Sequence, residues 1–151
     1  MNKLNLISIL AAAIVSVAVA HEGHEHATGV VRERMELMTS MGQRMLASSK
    51  RLRANKDLES ITNDARAIHE LASKITAQFP PGSTQFPTAA KPVVWQDWTD
   101  FTEKAKNLET ESEKLTNTST RDGDALRAQF RAVAFACDGC HEKYRVPKER
   151  R

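Results

Sequence analysis

The sequence predicts an all-α protein, an antiparallel four-helix bundle. Three observations predict it. Apolar residues recur at helical spacing in four segments, strand-like alternation appears nowhere, and prolines, glycines and polar turns fall between the segments. Helices patterned in this way bury their stripes against one another, and such bundles build cofactor sites in the core from facing helices.

The first twenty residues stand outside this fold. Lys3 precedes an uncharged stretch from Leu4 to Ala20, apolar from Leu6, that ends in Ala18-Val19-Ala20. This is the small-x-small pattern of a cleaved export signal. The run is shorter than the roughly 20 apolar residues a membrane span needs. The expected mature chain begins at His21, is periplasmic and has no membrane anchor. His21, His24 and His26 open a flexible tail over 21–29, which either chelates a divalent metal or is a solvated terminus. The bundle domain follows over 30–151. The formal charge of +3 falls to +2 without the signal, which holds one lysine and no acid. That balance argues against nucleic acid as a partner.

The first helix is expected from about Val30 to Arg53, with Met35, Met38, Met41, Met45 and Leu52 among charged residues and Asn55 marking its end. The second starts near Asp57. Its stripe is Leu58, Ile61, Ala65, Ile68, Ala72 and Ile75, and it stops at Phe79-Pro80-Pro81-Gly82, where the prolines and glycine cannot continue a helix. A loop over 80–91 leads to Pro92, placed where a first-turn proline is tolerated. Pro92 opens a third helix through Val94, Trp98, Phe101, Ala105, Leu108 and Leu115. After the polar turn 117–120, Asp122 or Asp124 caps the last helix. Its stripe is Leu126, Phe130, Val133, Cys137, His141 and Tyr144, and Pro147 and the charged tail 148–151 end it. Aromatic residues make up only 5% of the chain, thin for this length unless a large apolar group fills the centre.

The chemistry sits on the last helix. Cys137, Cys140 and His141 lie at i, i+3 and i+4, so all three project from one face. Two thiols a turn apart can each form a thioether with a haem vinyl group, and the adjacent imidazole is then carried beneath the iron. C-x-x-C-H is the haem c attachment pattern. A redox dithiol expects a βαβ setting, which is missing, and a zinc site needs four ligands. A disulfide across two residues would constrain little of the unfolded chain. One covalent haem c, held by Cys137 and Cys140 with His141 on the iron, is the expected cofactor. For the other face of the iron, Met35, Met38 and Met45 share a helix face with Gly42, which leaves room for a flat macrocycle. A methionine stripe fills cores more often than it ligates, so spacing alone leaves the second ligand open. His69, beside Ile68 on the second helix, reads as a helix-surface histidine rather than a ligand.

These residues resemble a known family: cytochrome c′ and its low-spin relatives of the cytochrome c-556 type, the class II c-type cytochromes. The resemblance spans about Val30 to Arg145. It rests on the haem motif near the C-terminus, through Lys143, Tyr144 and Arg145, on Phe79-Pro80-Pro81-Gly82-Ser83, on Pro92 to Trp98, and on Arg34, Met38, Gly42 and Met45. It implies a bundle with haem near one end and a residue four after Arg34 facing the iron. In low-spin members that residue is a ligating methionine, here Met38. In cytochrome c′ it is usually a non-ligating apolar residue, and the five-coordinate iron binds nitric oxide. Arg34 resembles the family arginine near a haem propionate, and Arg145 the one beside the proximal histidine. The resemblance thus implies electron transfer with His141/Met38 ligation rather than an enzyme, with periplasmic redox proteins as partners and a homodimer as a possible state. The alternatives are a cytochrome c′ that binds nitric oxide or carbon monoxide and, from the His-rich tail, a periplasmic metal-binding protein.

Overall fold

The computed structural model describes residues 26–147. The expected export signal, His21, His24 and the charged tail over 148–151 lie outside the described residues. Among the described residues five α-helices form: α1 Gly29–Ala54, α2 Glu59–Ala72, α3 Val93–Gln96, α4 Trp98–Thr116 and α5 Gly123–Tyr144. The four long ones make the antiparallel bundle. Among the described residues β pairing is confined to an isolated bridge between Ala90 and Arg145. No described helix is long and apolar enough to cross a membrane.

The end of α1 and the start of α5 fall where their sequences require. Asn55 closes α1 in the left-handed region, φ 48° and ψ 42°, and its N–H donates to the Leu52 carbonyl. Asparagine tolerates that conformation better than most residues. Arg51 and Arg53 in the last turn complement the helix dipole. Of the two candidate caps for α5, Asp122 takes the role: its Oδ1 accepts the Ala125 N–H at 2.9 Å.

Two boundaries differ from the sequence expectation. The second helix ends at Ala72, not Phe79. The Ser73 hydroxyl donates to the Glu70 carbonyl, and the backbone tightens to i+3 bonding through a 3-10 turn, Thr76–Gln78. This tightening carries both Ile75 and Phe79 into the core. The expected third helix is two helices, broken at Asp97, whose φ of −122° and ψ of 57° are not helical. The break lets Val94 before it and Phe101 after it both be buried, while Trp98, expected on the stripe, is 39% exposed. Trp95 fixes α3 by donating its indole N–H to the carbonyls of Phe79 and Pro80, at 3.0 and 3.1 Å.

The core runs along α2 and α4, where Ile61, Ala65, Ile68 and Ala72 meet Phe101, Ala105, Leu108 and Leu115. Asp64 on α2 stitches on α1, accepting from Ser48 at 2.9 Å, Arg51 at 2.8 Å and Arg44 at 3.3 Å. α4 in turn packs on α5. α1 and α5 approach each other far less. Their link is Arg127, which reaches the Leu52 carbonyl and Asn55 Oδ1 at the end away from His141.

Candidate functional site

The gap between α1 and α5 holds a cavity of about 360 Å³. From α1 it is lined by Arg34, Met35, Met38, Thr39 and Gly42, and from α5 by Cys140, His141, Tyr144 and Arg145. Phe79 and Phe101 line it from the core side, and Pro87, Thr88, Ala89 and Ala90 close another wall. The walls come from opposite ends of the chain. This volume falls within the usual range for ligand pockets.

The motif residues divide. His141 faces the cavity with an exposed side chain. Desolvation by the surrounding protein, helped by the nearby Arg145 charge, lowers its pKa and favours the neutral imidazole that binds metals. Cys140 lines the cavity. Cys137, one turn earlier, packs half-buried against the core and is not a lining residue. The two thiols are not joined. Burial pushes both up to about 11, so near neutral pH they are protonated. A redox dithiol needs the opposite, a depressed thiol pKa.

On α1 the structure sorts the methionines. Met35 and Met38 line the cavity, Met41 is buried in the core, and Met45 packs against that core. Met45 was expected to share the face of Met38, but two turns further along α1 that face meets the bundle interior instead. Gly42 leaves the helix backbone open to the cavity: a Cβ built there meets nothing within 4 Å. His69 lies at the α2–α4 contact, with Nδ1 3.1 Å from the Glu109 carbonyl, and does not line the cavity. Among the described residues no group of three or more His, Cys, Asp and Glu side chains could hold a metal, and His26 is exposed.

Arg34 is the most informative side chain at the site. Only 4% exposed, it donates one Nη2–H to the Ser83 carbonyl at 2.9 Å and stacks 4.4 Å above the Phe79 ring. Its Nη1 is buried without a protein partner. A buried guanidinium N–H without an acceptor is costly, and at a cavity wall it fits an anionic group entering from the cavity. A largely apolar cavity with an unpartnered guanidinium nitrogen, an open helix backbone, a thiol and an imidazole fits a haem with its propionates.

A sequence profile described as Cytochrome C′ matches residues 29–145. The chain belongs to the cytochrome c′ family. It is accordingly a c-type haem protein, with covalent haem c as its cofactor. A cytochrome c-556 from Agrobacterium tumefaciens (strain II Chrys) is 30% identical over 122 residues, 80% of this chain and 99% of the relative. The crystal structure of cytochrome c′ from Thermochromatium tepidum superposes with a TM-score of 0.73 at 25% identity, covering 78% of this chain and 95% of that one. The nitric oxide complex of a mutant cytochrome c prime from Alcaligenes xylosoxidans gives 0.70 at 25% identity, covering 85% and 100%.

Sequence reasoning missed one wall entirely. Residues 87–90 read as plain loop, and nothing in their composition marks them as lining a site. They are brought there by the bridge in which the Lys91 N–H donates to the Tyr144 carbonyl and the Val146 N–H to the Ala89 carbonyl, each at 2.8 Å.

Proposed function

We propose that this protein is a periplasmic electron carrier with a six-coordinate haem c held between His141 and Met38. The observation that carries the reading is that one cavity receives an imidazole from α5 and a thioether from α1. When bound there, haem c would supply one-electron chemistry between Fe(II) and Fe(III). Cys137 and Cys140 supply the two thiols for covalent attachment. His141 presents a neutral nitrogen, and Met38 a soft sulfur that favours Fe(II) and raises the potential. Arg34 offers its unpaired Nη1 to a propionate, and Arg145 adds positive charge beside His141. Phe79 and Phe101 keep water from the inner wall. The cytochrome c-556 relative and the export signal read in the sequence both support this assignment.

The test is spectroscopic. Both oxidation states of the wild type are expected to be low-spin, with slow carbon monoxide binding because a ligand must leave first. Met38→Ala is expected to give an open, high-spin form that binds carbon monoxide rapidly and has a lower potential. Met35→Ala, at the same cavity, is expected to keep the low-spin spectrum. The second reading is a gas-binding cytochrome with Met38 off the iron. It is favoured by the incomplete burial of Met38 and by the nitric oxide complex of the Alcaligenes relative. A high-spin wild type that binds carbon monoxide at once would decide for it.

A further inference from the structure

The last turn of α5, which carries His141, is gripped from two sides. On one side Lys143 Nζ pairs with Asp97 Oδ2 and lies 2.9 Å from Asp100 Oδ2. The Tyr144 hydroxyl donates to the same Asp100 oxygen and sits 3.3 Å from the Asp97 carbonyl. On the other side the Lys91 N–H donates to the Tyr144 carbonyl at 2.8 Å, and Lys91 Nζ to the Glu142 carbonyl at 3.1 Å.

The acidic end of this grip is firmly set. Asp97 and Asp100 stand at the start of α4, where the helix dipole favours carboxylates. The Tyr144 ring is 3% exposed and meets Phe101 edge-on at 5.2 Å. The contact therefore differs from the pair of Lys114 with Glu111, which joins neighbouring turns of α4 through an exposed lysine and contributes little. It ties two helices through a buried phenol.

His141 needs such a tie. An imidazole that ligates a metal is usually aimed by a hydrogen bond at its second nitrogen. Among the described residues the His141 ring makes no hydrogen bond, so its aim depends on the helix turn beneath it. Tyr144 and Lys143 lie three and two residues further along that turn, and shifts of about 0.5 Å matter at a ligand.

We infer that Tyr144 and Asp100 are positioning residues for His141, holding the last turn of α5 against α4 so that the imidazole meets the iron in one orientation. This rests on the reading that His141 holds the iron.

The experiment uses the holoprotein and compares wild type with Tyr144→Phe, Asp100→Asn, the double variant, and Lys114→Gln as a remote control. The readouts are the ferric electron paramagnetic resonance lines, which report axial ligand orientation, and the midpoint potential. Tyr144→Phe keeps the buried ring and is expected to keep full haem content, with broadened lines. Its potential is expected to fall, because Asp100 loses a donor that offsets its charge. Asp100→Asn is expected to broaden the lines as well but to raise the potential, since the anion itself is gone. The double variant is expected to be no broader than the single ones, because both break the same contact. Lys114→Gln is expected to match wild type. Wild-type lines and potential in both single variants, with only a lower urea midpoint, would overturn the inference and leave the contact as fold stabilisation. A wild-type spectrum without histidine on the iron would instead defeat the haem-ligation reading, and this inference with it.

Discussion

The α2–α4 side of the bundle and the α1–α5 side carry the same kind of amphipathic pattern, yet only one of them closes. Along α2, Ile61 and Ala65 are 0% exposed, in the core cluster that α4 completes with Phe101, Leu108 and Leu115. Across the bundle, Gly42 and His141 are exposed and Met35 and Met38 only half-buried, around a cavity lined also by two alanines. One side fills its interior with its own branched side chains. The other keeps small residues, a turned-in arginine and flexible thioethers, so that a flat group can complete the packing. Apolar periodicity thus tells where a helix faces inward, and side-chain size tells whether it faces protein.

This contrast predicts unequal responses to substitution. The largest effect is expected from Cys137→Ser combined with Cys140→Ser, which removes the two thiols proposed to tether the filling of the open side. Acid-acetone extraction should free all haem from this variant, and the chain should lose cooperative thermal unfolding, because ligand binding contributes directly to stability. A cooperative, empty bundle would show that the open side does not depend on its ligand. Next comes Ile61→Ala on the closed side, expected to cost about 2–5 kcal/mol in urea unfolding while leaving the visible spectrum unchanged. Asp64→Ala follows, at about 1–3 kcal/mol, since Ser48, Arg44 and Arg51 share this acceptor. If it cost as much as Ile61→Ala, the stitching of α1 would matter more than the core itself.

The smallest effect is pH-dependent. Hydrogen bonds from Ser60 and Arg51 hold the Asp57 carboxyl below its ordinary value of 3.8. A depressed carboxylate stabilises the fold above its unfolded value, and that contribution is lost as pH falls through the lower folded one. Wild type and Asp57→Asn, which keeps a residue suited to the positive φ of 53°, are expected to differ slightly at pH 6. The gap should close as the solution is acidified below pH 4; a constant difference would point to backbone effects alone.

Much of this contrast is legible in the sequence because it is local. Ile61, Ala65, Ile68 and Ala72 announce a buried face by spacing, Asn55 and Asp122 mark helix ends, and Cys137, Cys140 and His141 share a face by simple helical geometry. What escapes is set by distant partners. The break at Asp97 and the early end of α2 exist because Val94, Phe101, Ile75 and Phe79 must all reach one core, and no local pattern encodes that compromise. Met38 and Met45, seven residues apart, nearly coincide on a helical wheel, and only the neighbours of α1 decide that one lines the cavity and the other packs on the core alone. The loop at 87–90 carries no sign of its role, since backbone bonds to residues 144–146 bring it there.

The placement of the cavity walls at the two ends of the chain also orders the assembly of the molecule. Met38 and His141 lie about a hundred residues apart, so closing that wall costs more chain entropy than pairing α4 with α5 or α1 with α2 across short turns. Contacts of such long range form late. Helix pairs with nearby connections should therefore gain protection in pulsed hydrogen exchange first, and the face of α1 around Gly42 last. On that order Cys140 stays reachable until the first helix closes the cavity in front of it.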